Sequence, residues 1–270
     1  MHNPETDLHT ETGLAWNVTA GIYERDEAAD IALLAGGGNS LLAPEHRFLR
    51  NLSSWCGRAI HLQCAGGTDT LSLWNMGAAE VVGVDISEKM IAVGRRKSAA
   101  LGAPAQWHCC DVLHTPHALD SSADLIYTGR GALPWVMDIA AWAGVVARLL
   151  KPGGRIYIFE GHPLDWVWDM GADTYQLSPR TGDYFAGEVV SDRGWPIFSN
   201  PIQEHPEKEQ FHVHERQWTL GALLNSLVGA GLQLERFEEH PDLFWNQFPH
   251  LPAELAGRLP HTFSLLMRKP

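Results

Sequence analysis

Short apolar runs without helical spacing alternate with amphipathic stretches over most of the chain. Such runs are typical of buried strands, whereas apolar positions three and four apart are typical of helices. The predicted strands cover residues 59–63, 80–84, 105–110, 123–128, 155–160, 232–237 and 262–268. The first five alternate with predicted helices, which favours a parallel, doubly wound sheet with ligands at the carboxyl ends of its strands. The pattern therefore predicts an α/β fold with a Rossmann-like, seven-stranded sheet.

The N-terminal segment, residues 1–52, does not follow this alternation. Residues 1–13 are polar and are expected to fray. Weak helical patterns follow at 23–34 and 45–52, separated by a glycine-rich stretch. We therefore predict a helical segment that precedes the core.

The predicted core consists of residues 53–161 and 211–270, and residues 211–218 are a further candidate strand. Residues 162–210 separate the two parts and contain five prolines and many aromatic side chains. This stretch is too long for a plain connector, so we expect a functional insertion that forms a lid over the substrate.

Charge and cysteine content narrow the classes of partner. The formal net charge of −12 argues against nucleic acid and anionic membranes, because both are bound through basic patches. The four cysteines have no metal-type spacing, and Cys109 and Cys110 are adjacent, so a disulfide framework is not expected. The polar N-terminus does not resemble a signal peptide, and no apolar run reaches spanning length. We expect a cytoplasmic protein without membrane contact.

A glycine turn between the first predicted strand and the next helix is the strongest candidate site. Its glycines, Gly66 and Gly67, precede a helix whose first N–H groups are available to a ligand oxygen. Asp85 lies about 20 residues further on, at the end of the next strand, where a carboxylate accepts hydrogen bonds from two ribose hydroxyls. The pattern predicts a nucleoside cofactor.

The stretch around this turn, HLQCAGG, resembles motif I of the class I S-adenosylmethionine-dependent methyltransferases, which is an acidic residue, a spacer and then G-x-G-x-G. His61 replaces the acidic residue, Gln63 and Ala65 replace the first two glycines, and Gly67 matches the third. Two further stretches resemble the family's second motif and the strand that follows its Lys-Pro-Gly-Gly turn, namely GVDISEKMIAVGRRK at 83–97 and LLKPGGRIYIFE at 149–160.

The resemblance implies S-adenosylmethionine as the cofactor and a terminal hairpin that gives the sheet one antiparallel strand near the C-terminus. It also implies that the N-terminal segment caps the cofactor or the substrate, and that Asp111 meets the adenine amino group. For Asp111, capping of a helix or turn remains open. The implied cofactor-binding residues are Gln63, Cys64, Ala65, Gly67, Asp85, Ile86, Asp111, Val112 and Thr128.

Methyl transfer from a sulfonium is an in-line displacement with a neutral leaving group, so only the acceptor requires a base. Oxygen and nitrogen acceptors favour a nearby histidine or carboxylate. His162, just beyond the fifth predicted strand, is the first candidate, and Glu160 is the second. A structural role, such as a hydrogen bond to a loop, is the alternative for His162.

Aromatic residues favour a small, mostly apolar substrate over a macromolecule, because aromatic rings enclose aromatic or cationic groups. The candidate substrate residues are Trp16, Tyr23, Trp135, Trp166, Trp218 and Trp245. Packing in the core is the alternative for each of them. His212 and His214 have a spacing found in metal sites, but they lack an obvious third ligand, and we expect no metal.

The sequence therefore predicts O- or N-methylation of a small molecule. Two alternatives stay open. Gln63 and Ala65 allow a methyltransferase-like protein that binds a ligand without methyl transfer. A nicotinamide-dependent oxidoreductase is less favoured, because G-x-G-x-x-G is absent and its fold does not normally close with such a strand pair. The oligomeric state is not predicted.

Overall fold

The computed structural model describes residues 4–193 and 205–270. Its helices are α1 (Pro4–Ala35), α2 (Ala43–Phe48), α3 (Thr68–Asn75), α4 (Glu88–Leu101), α5 (Ile139–Leu149), α6 (Leu220–Gly229) and α7 (Ala253–Ala256). Its strands are β1 (Arg58–Leu62), β2 (Glu80–Asp85), β3 (Ala105–Cys109), β4 (Ala123–Gly129), β5 (Leu150–Gly161), β6 (Val189–Asp192), β7 (Val213–Arg216), β8 (Gln233–His240) and β9 (Thr262–Arg268).

The main sheet has seven strands in the order β3-β2-β1-β4-β5-β9-β8. Strands β1 to β5 pair in parallel, whereas β9 pairs antiparallel with β5 on one side and with β8 on the other. Two buried apolar clusters pack on the sheet, one that includes α5 and α6 and another that includes α2 and α3. The predicted fold class, including the single antiparallel strand near the C-terminus, is confirmed.

Predicted helix ends are confirmed by their capping residues. The side chain of Ser87 accepts a hydrogen bond from the Met90 N–H at 3.2 Å and begins α4. Gly102 ends that helix with a φ of 64°, in the left-handed region that glycine adopts without strain. Asp138 begins α5 by accepting a hydrogen bond from the Ala141 N–H at 2.9 Å.

The expectation that residues 1–13 fray is wrong for residues 4–13, and residues 1–3 lie outside the described part of the chain. Helix α1 begins at Pro4 and runs without a break through the weak helical pattern at 23–34. Its polar residues are held by the rest of the protein, because His9 and Thr12 are buried. No helix in the described part of the chain is long and apolar enough to cross a bilayer.

The predicted strand at 211–218 is shorter than expected and lies outside the main sheet. Its ordered part, β7, pairs antiparallel with β6 to form a separate two-stranded sheet. Strand β5 begins earlier than predicted, at Leu150, and includes the Lys-Pro-Gly-Gly stretch.

Candidate functional site

A cavity of about 300 Å³ opens at the carboxyl ends of β1, β2 and β4. Helix α1 and the loop between β8 and β9 complete its walls. The predicted cofactor residues that line it are Gln63, Cys64, Ala65, Gly67, Asp85, Ile86, Asp111 and Val112. Thr128 is the exception, because it is fully buried in β4 and its hydroxyl donates to the Leu62 carbonyl at 3.2 Å. The structure thus brings together all of this predicted set except Thr128.

The glycine turn keeps a left-handed backbone at positions that lack glycine. Gln63 has a φ of 58° and Ala65 a φ of 45°, and the retained Gly67 has a φ of 78°. A Cβ on Gly67 would lie 2.3 Å from a ring carbon of Trp107, so this position admits only glycine. Replacement of the first two glycines has therefore not prevented the turn, although it places two L-residues in an unfavourable conformation.

Asp85 is fixed at the end of β2 by the backbone of the turn. One carboxylate oxygen accepts from the Ala65 N–H at 2.8 Å, and the other accepts from the Ser87 N–H at 2.9 Å. Burial raises the pKa of Asp85 to about 6, although these N–H groups favour the ionised form. Asp85 is thus a pre-oriented acceptor that is largely ionised at pH 7.

Asp111 lines the cavity and also caps a short 3₁₀ turn. One oxygen accepts from the Leu113 N–H at 2.9 Å, and the other lies 2.8 Å from Nδ1 of His9. Because Nε2 of His9 accepts from the Met137 N–H, the ring proton is assigned to Nδ1. Burial opposes ionisation of Asp111 most strongly, but the contacts with His9, the Leu113 N–H and His114 together outweigh it and hold the pKa below its usual value. His9 is not among the residues predicted for the site, because it lies in the segment that was expected to fray.

Arg130 is a second cavity residue that was not predicted from the sequence. It follows β4 with a φ of 55°, and its guanidinium pairs with Asp69 and donates to the Ser40 carbonyl at 3.3 Å. Asp69 and Arg130 both line the cavity. The signal was a basic residue immediately after a strand, at the edge of the sheet where ligands bind.

His61, in the position of the family's acidic residue, is also part of the cavity wall. Its Nδ1 lies 2.8 Å from the Thr70 hydroxyl, and burial lowers the pKa of His61 to about 4. The ring is therefore neutral at pH 7, and His61 does not reproduce the negative charge of the motif.

Four of the six predicted substrate residues line the cavity, namely Trp16, Tyr23, Trp135 and Trp245. The rings of Trp16 and Trp135 meet edge to face with 5.4 Å between centroids, and Phe244 adds a further aromatic surface beside Trp245. Burial raises the pKa of Tyr23 to about 12, so its hydroxyl stays protonated at neutral pH. One side of the cavity is therefore an aromatic wall.

Trp166 and Trp218, the other two predicted substrate residues, do not belong to this wall. Both line a separate pocket of about 30 Å³ beside Glu160. The Trp218 indole donates to the Val136 carbonyl at 2.8 Å, so its polar edge is used inside the fold.

The predicted catalytic pair also lies outside the large cavity. Glu160 is buried and accepts hydrogen bonds from the backbone N–H groups of Gly131, Ala132, Leu133 and Gly161, which fixes the loop after β4. Nδ1 of His162 accepts from the Leu164 N–H at 3.1 Å, and its Nε2 lies 3.1 Å from Glu239. Neither residue lines the cavity in this geometry, and the contacts of His162 match the structural alternative.

The described part of the predicted insertion does not line the cavity, and its strand β6 pairs with β7, which in turn contacts α1. His214, on the partner strand β7, lies 2.8 Å from Glu11 through Nε2, and its backbone N–H donates to the Thr12 hydroxyl. Residues 194–204 of the insertion lie outside the described residues, and the lid role stays a prediction. Within the described residues no group of three or more metal-ligating side chains is assembled.

Comparison with known proteins identifies a family for part of the chain. Residues 59–154 match the family described as methyltransferase domain. These residues form a class I methyltransferase domain. It contains the glycine turn, Asp85, Asp111 and Arg130, whereas α1 and the aromatic loop between β8 and β9 lie outside it.

Curated relatives of the methyltransferase domain include a demethylmenaquinone methyltransferase of Thermus thermophilus, 31% identical over 46% of this chain and 64% of the relative. A ubiquinone/menaquinone biosynthesis C-methyltransferase of Dinoroseobacter shibae is 34% identical over 56% of this chain and 61% of its own length. The chain thus spans less than two thirds of these relatives.

Solved structures share the fold over most of the chain. An S-adenosylmethionine-dependent methyltransferase of Mesorhizobium loti superposes with a TM-score of 0.60 at 24% identity, over 84% of this chain and 96% of that one. A geranyl diphosphate C-methyltransferase of Streptomyces coelicolor A3(2), solved with S-adenosyl-L-homocysteine, gives a TM-score of 0.56 at 14% identity, over 84% and 78% of the two chains. At these identities the likeness establishes the fold.

Proposed function

We propose that this protein transfers a methyl group from S-adenosylmethionine to a small, mostly apolar acceptor. The observation that carries the proposal is that Asp111, Asp85 and the left-handed turn at Gln63 line one cavity beside an aromatic wall. Because these residues follow neighbouring strands, their groups match an elongated nucleoside ligand. The amide oxygen of Gln63 has no hydrogen-bond partner among the described residues and is a further polar atom that such a ligand would satisfy.

Each residue of this site has a defined task. Asp85 would accept hydrogen bonds from the ribose hydroxyls and Asp111 from the adenine amino group, and the turn allows close approach of the backbone. The cofactor, when bound, supplies an electrophilic methyl group on a sulfonium. The carboxylates of Asp69, Asp85 and Asp111 favour such a positive charge, and Tyr23 adds the electron-rich face of its ring.

The acceptor would lie against the aromatic wall of Trp16, Trp135 and Trp245. A wall of this kind binds flat, apolar molecules and excludes water from the reacting atoms. The expectation of O- or N-methylation is widened here to include carbon, because two relatives carry the names of a C-methyltransferase and of quinone-pathway enzymes. An aromatic ring with a hydroxyl or amine substituent fits this class of acceptor.

A second function, ligand binding without methyl transfer, is favoured by one observation: neither predicted base reaches the cavity. A nicotinamide-dependent oxidoreductase has no comparable support, since the domain family is that of methyltransferases. The two remaining functions differ in whether bound cofactor is consumed.

Incubation of the protein with methyl-labelled S-adenosylmethionine and separate panels of hydroquinones, phenols and aromatic amines tests the proposal. We expect label in the extracted acceptor and stoichiometric S-adenosylhomocysteine. The matched controls are Trp135→Ala, which should slow transfer, and Trp166→Ala, which should not. Binding of the cofactor without transfer to any panel would support the second function instead, and absence of binding would contradict both.

A further inference from the structure

The two histidines that line the large cavity are not placed to take a proton from an acceptor. Histidine is the usual general base near neutral pH. Nε2 of His9 accepts from the Met137 N–H at 3.0 Å, and its Nδ1 lies 2.8 Å from Asp111, so both ring nitrogens are engaged. Burial lowers the pKa of His61 to about 4, which makes its ring a weak base. Neither histidine therefore serves as a general base.

The three carboxylates that line the cavity are held by other groups. Asp69 pairs with the guanidinium of Arg130, and Asp111 is bound to His9. Asp85 accepts hydrogen bonds from two backbone N–H groups, and in the proposed function its remaining lone pairs receive the ribose hydroxyls. The carboxylates thus contribute negative charge to the cavity and are not available as proton acceptors.

The other lining residues that could titrate keep their protons at neutral pH. Burial raises the pKa of Tyr23 to about 12, that of Cys110 to about 11, and that of Cys64 well above its usual value. The described lining of the cavity therefore offers no general base. A hydroxyl or a ring carbon has to lose a proton when it is methylated, whereas a pyridine-type nitrogen or a tertiary amine has a lone pair and no proton to lose.

The charge of the cavity favours a cation. Arg130 is the only arginine or lysine among the described lining residues, and it faces three carboxylates. An anionic acceptor would meet net repulsion there. The aromatic wall of Trp16, Trp135 and Trp245 presents electron-rich ring faces, which attract cationic groups. The cavity is thus suited to an acceptor that becomes positively charged.

We propose that the acceptor atom is an uncharged nitrogen that carries no proton, in a pyridine-type ring or a tertiary amine, and that the quaternary product cation lies against the aromatic wall. The inference rests on the proposed function and names its acceptor. The nitrogen lone pair forms the new N–C bond while the C–S bond breaks, and the electrons of that bond stay on sulfur. The positive charge moves from sulfur to nitrogen, so the step requires neither a base nor a further reactant.

Calorimetric titration of the protein saturated with S-adenosylhomocysteine tests the preference for a cation. The probes share one bicyclic shape and differ in charge: 1-methylquinolinium is a cation, quinoline N-oxide is uncharged and 1-naphthoate is an anion. We expect 1-methylquinolinium to bind at least about fivefold more tightly than the N-oxide, and 1-naphthoate to bind most weakly. Equal binding of the first two, a preference for 1-naphthoate, or no binding of any probe would overturn the inference. Failure of S-adenosylhomocysteine itself to bind would contradict the proposed function instead.

The variant Trp245→Leu assigns the preference to the aromatic wall. Trp245 is 37% exposed, so an apolar replacement should leave the fold intact. We expect it to weaken 1-methylquinolinium about threefold or more and to leave quinoline N-oxide within about twofold. Trp55→Leu is the matched control, because the Trp55 indole donates to the Arg50 carbonyl away from the cavity and should change neither affinity. An equal loss for both probes in Trp245→Leu, or no loss for either, would overturn the role of the wall.

A transfer assay separates this inference from the proposed function. The protein is incubated with methyl-labelled S-adenosylmethionine and a panel of pyridines, quinolines and tertiary amines, in parallel with phenols of matched size. We expect label in quaternary nitrogen products, at a rate about tenfold or more above that for the phenols. Faster transfer to a phenol oxygen or ring carbon would overturn the inference and leave the proposed function intact. Transfer to no member of either panel, by protein that binds S-adenosylhomocysteine, would also overturn it.

Discussion

At the scale of single residues, the glycine turn contains two L-residues in a conformation that favours glycine. Gln63 and Ala65 have positive φ, and a left-handed L-residue costs about 1–2 kcal/mol. Ala65 has no polar side chain that would compensate for this cost. The turn therefore stores strain at Ala65, whereas at Gln63 the amide provides a hydrogen bond to the Ala132 carbonyl in return.

The strain can be measured by exchanging alanine and glycine at two positions of the turn. Ala65→Gly should raise the free energy of unfolding by up to about 1 kcal/mol, because glycine adopts this φ freely. Gly67→Ala should lower it by about 2 kcal/mol or more, since the new Cβ would collide with Trp107. Urea denaturation of both variants provides the test. A destabilising Ala65→Gly would contradict the assigned backbone conformation.

Asp85 predicts a pH dependence of cofactor affinity. Its pKa of about 6 means that the carboxylate becomes protonated as the pH falls through 6, and a protonated oxygen is a poorer acceptor for ribose hydroxyls. The affinity for S-adenosylhomocysteine should therefore fall about tenfold between pH 7 and pH 5. The stability of the free protein changes in the opposite direction. A carboxyl whose pKa is raised by folding stabilises the fold at low pH, and this contribution is lost as the pH rises from about 4 through about 6.

Asp85→Asn is the control for this pH dependence. The variant should bind S-adenosylhomocysteine about tenfold or more weakly at pH 7, with an affinity that no longer changes between pH 5 and 7. A pH profile that survives in Asp85→Asn would assign the titration to another group, and wild-type affinity at pH 7 would remove Asp85 from the site.

For His162 the structure predicts a structural role, whereas its position in the sequence suggested a catalytic one. Burial lowers its pKa, and both ring nitrogens are engaged inside the fold. His162→Ala should therefore lower the free energy of unfolding by about 1 kcal/mol and leave turnover within about twofold. Steady-state kinetics of methyl transfer from labelled S-adenosylmethionine to an acceptor measures the effect on turnover. A hundredfold loss of turnover in folded protein would restore the catalytic role of His162.

At the scale of elements, α1 is the part of the chain that closes the cavity, and it is held by ionic contacts with α4. Lys97 is fully buried, and its ammonium lies 2.6 Å from Asp30 and 2.8 Å from the hydroxyl of Thr68, the first residue of α3. Arg96, one residue earlier, pairs with Glu27 at a more exposed position. Both ion pairs thus connect α1 with α4, but the Lys97 pair is more buried than the Arg96 pair.

This difference provides a matched pair of variants. Lys97→Met should lower the free energy of unfolding by about 2 kcal/mol, because it leaves Asp30 unpaired in a half-buried place. Arg96→Met should cost at most about 1 kcal/mol, since exposed ion pairs contribute little. Lys97→Met should also weaken cofactor binding, because Thr68 follows the glycine turn. Equal effects of the two substitutions would show that Lys97 does not anchor α1.

The sequence pattern predicted the elements of the core but no helix before residue 23, so it missed more than half of α1, and the reason is physical. Core strands are continuous apolar runs, which is a local signal. The residues of α1 before Gly13 are polar, and their partners, Asp111 and His214, lie about a hundred or two hundred residues away. Local periodicity contains no information on such partners, so the segment was expected to fray.

At the scale of the whole molecule, the sheet topology decides which predicted site residues meet. Residues at the carboxyl ends of β1, β2 and β3 could be predicted from the sequence, because parallel strands present those ends at one edge. His162 and Trp166 follow β5 closely and Trp218 follows β7, but Trp166 and Trp218 line another pocket and His162 is hydrogen-bonded inside the fold. Arg130 lies at the edge itself and has no motif that would identify it.

The central claim is that the cavity binds the adenosyl cofactor of methyl transfer, and calorimetric titration with S-adenosylmethionine, S-adenosylhomocysteine and NADH in parallel tests it most directly. We predict micromolar or tighter binding of both sulfur nucleosides, about one ligand per chain, and no heat from NADH beyond dilution. Binding of NADH alone, or of none of the three to folded protein, would contradict the account.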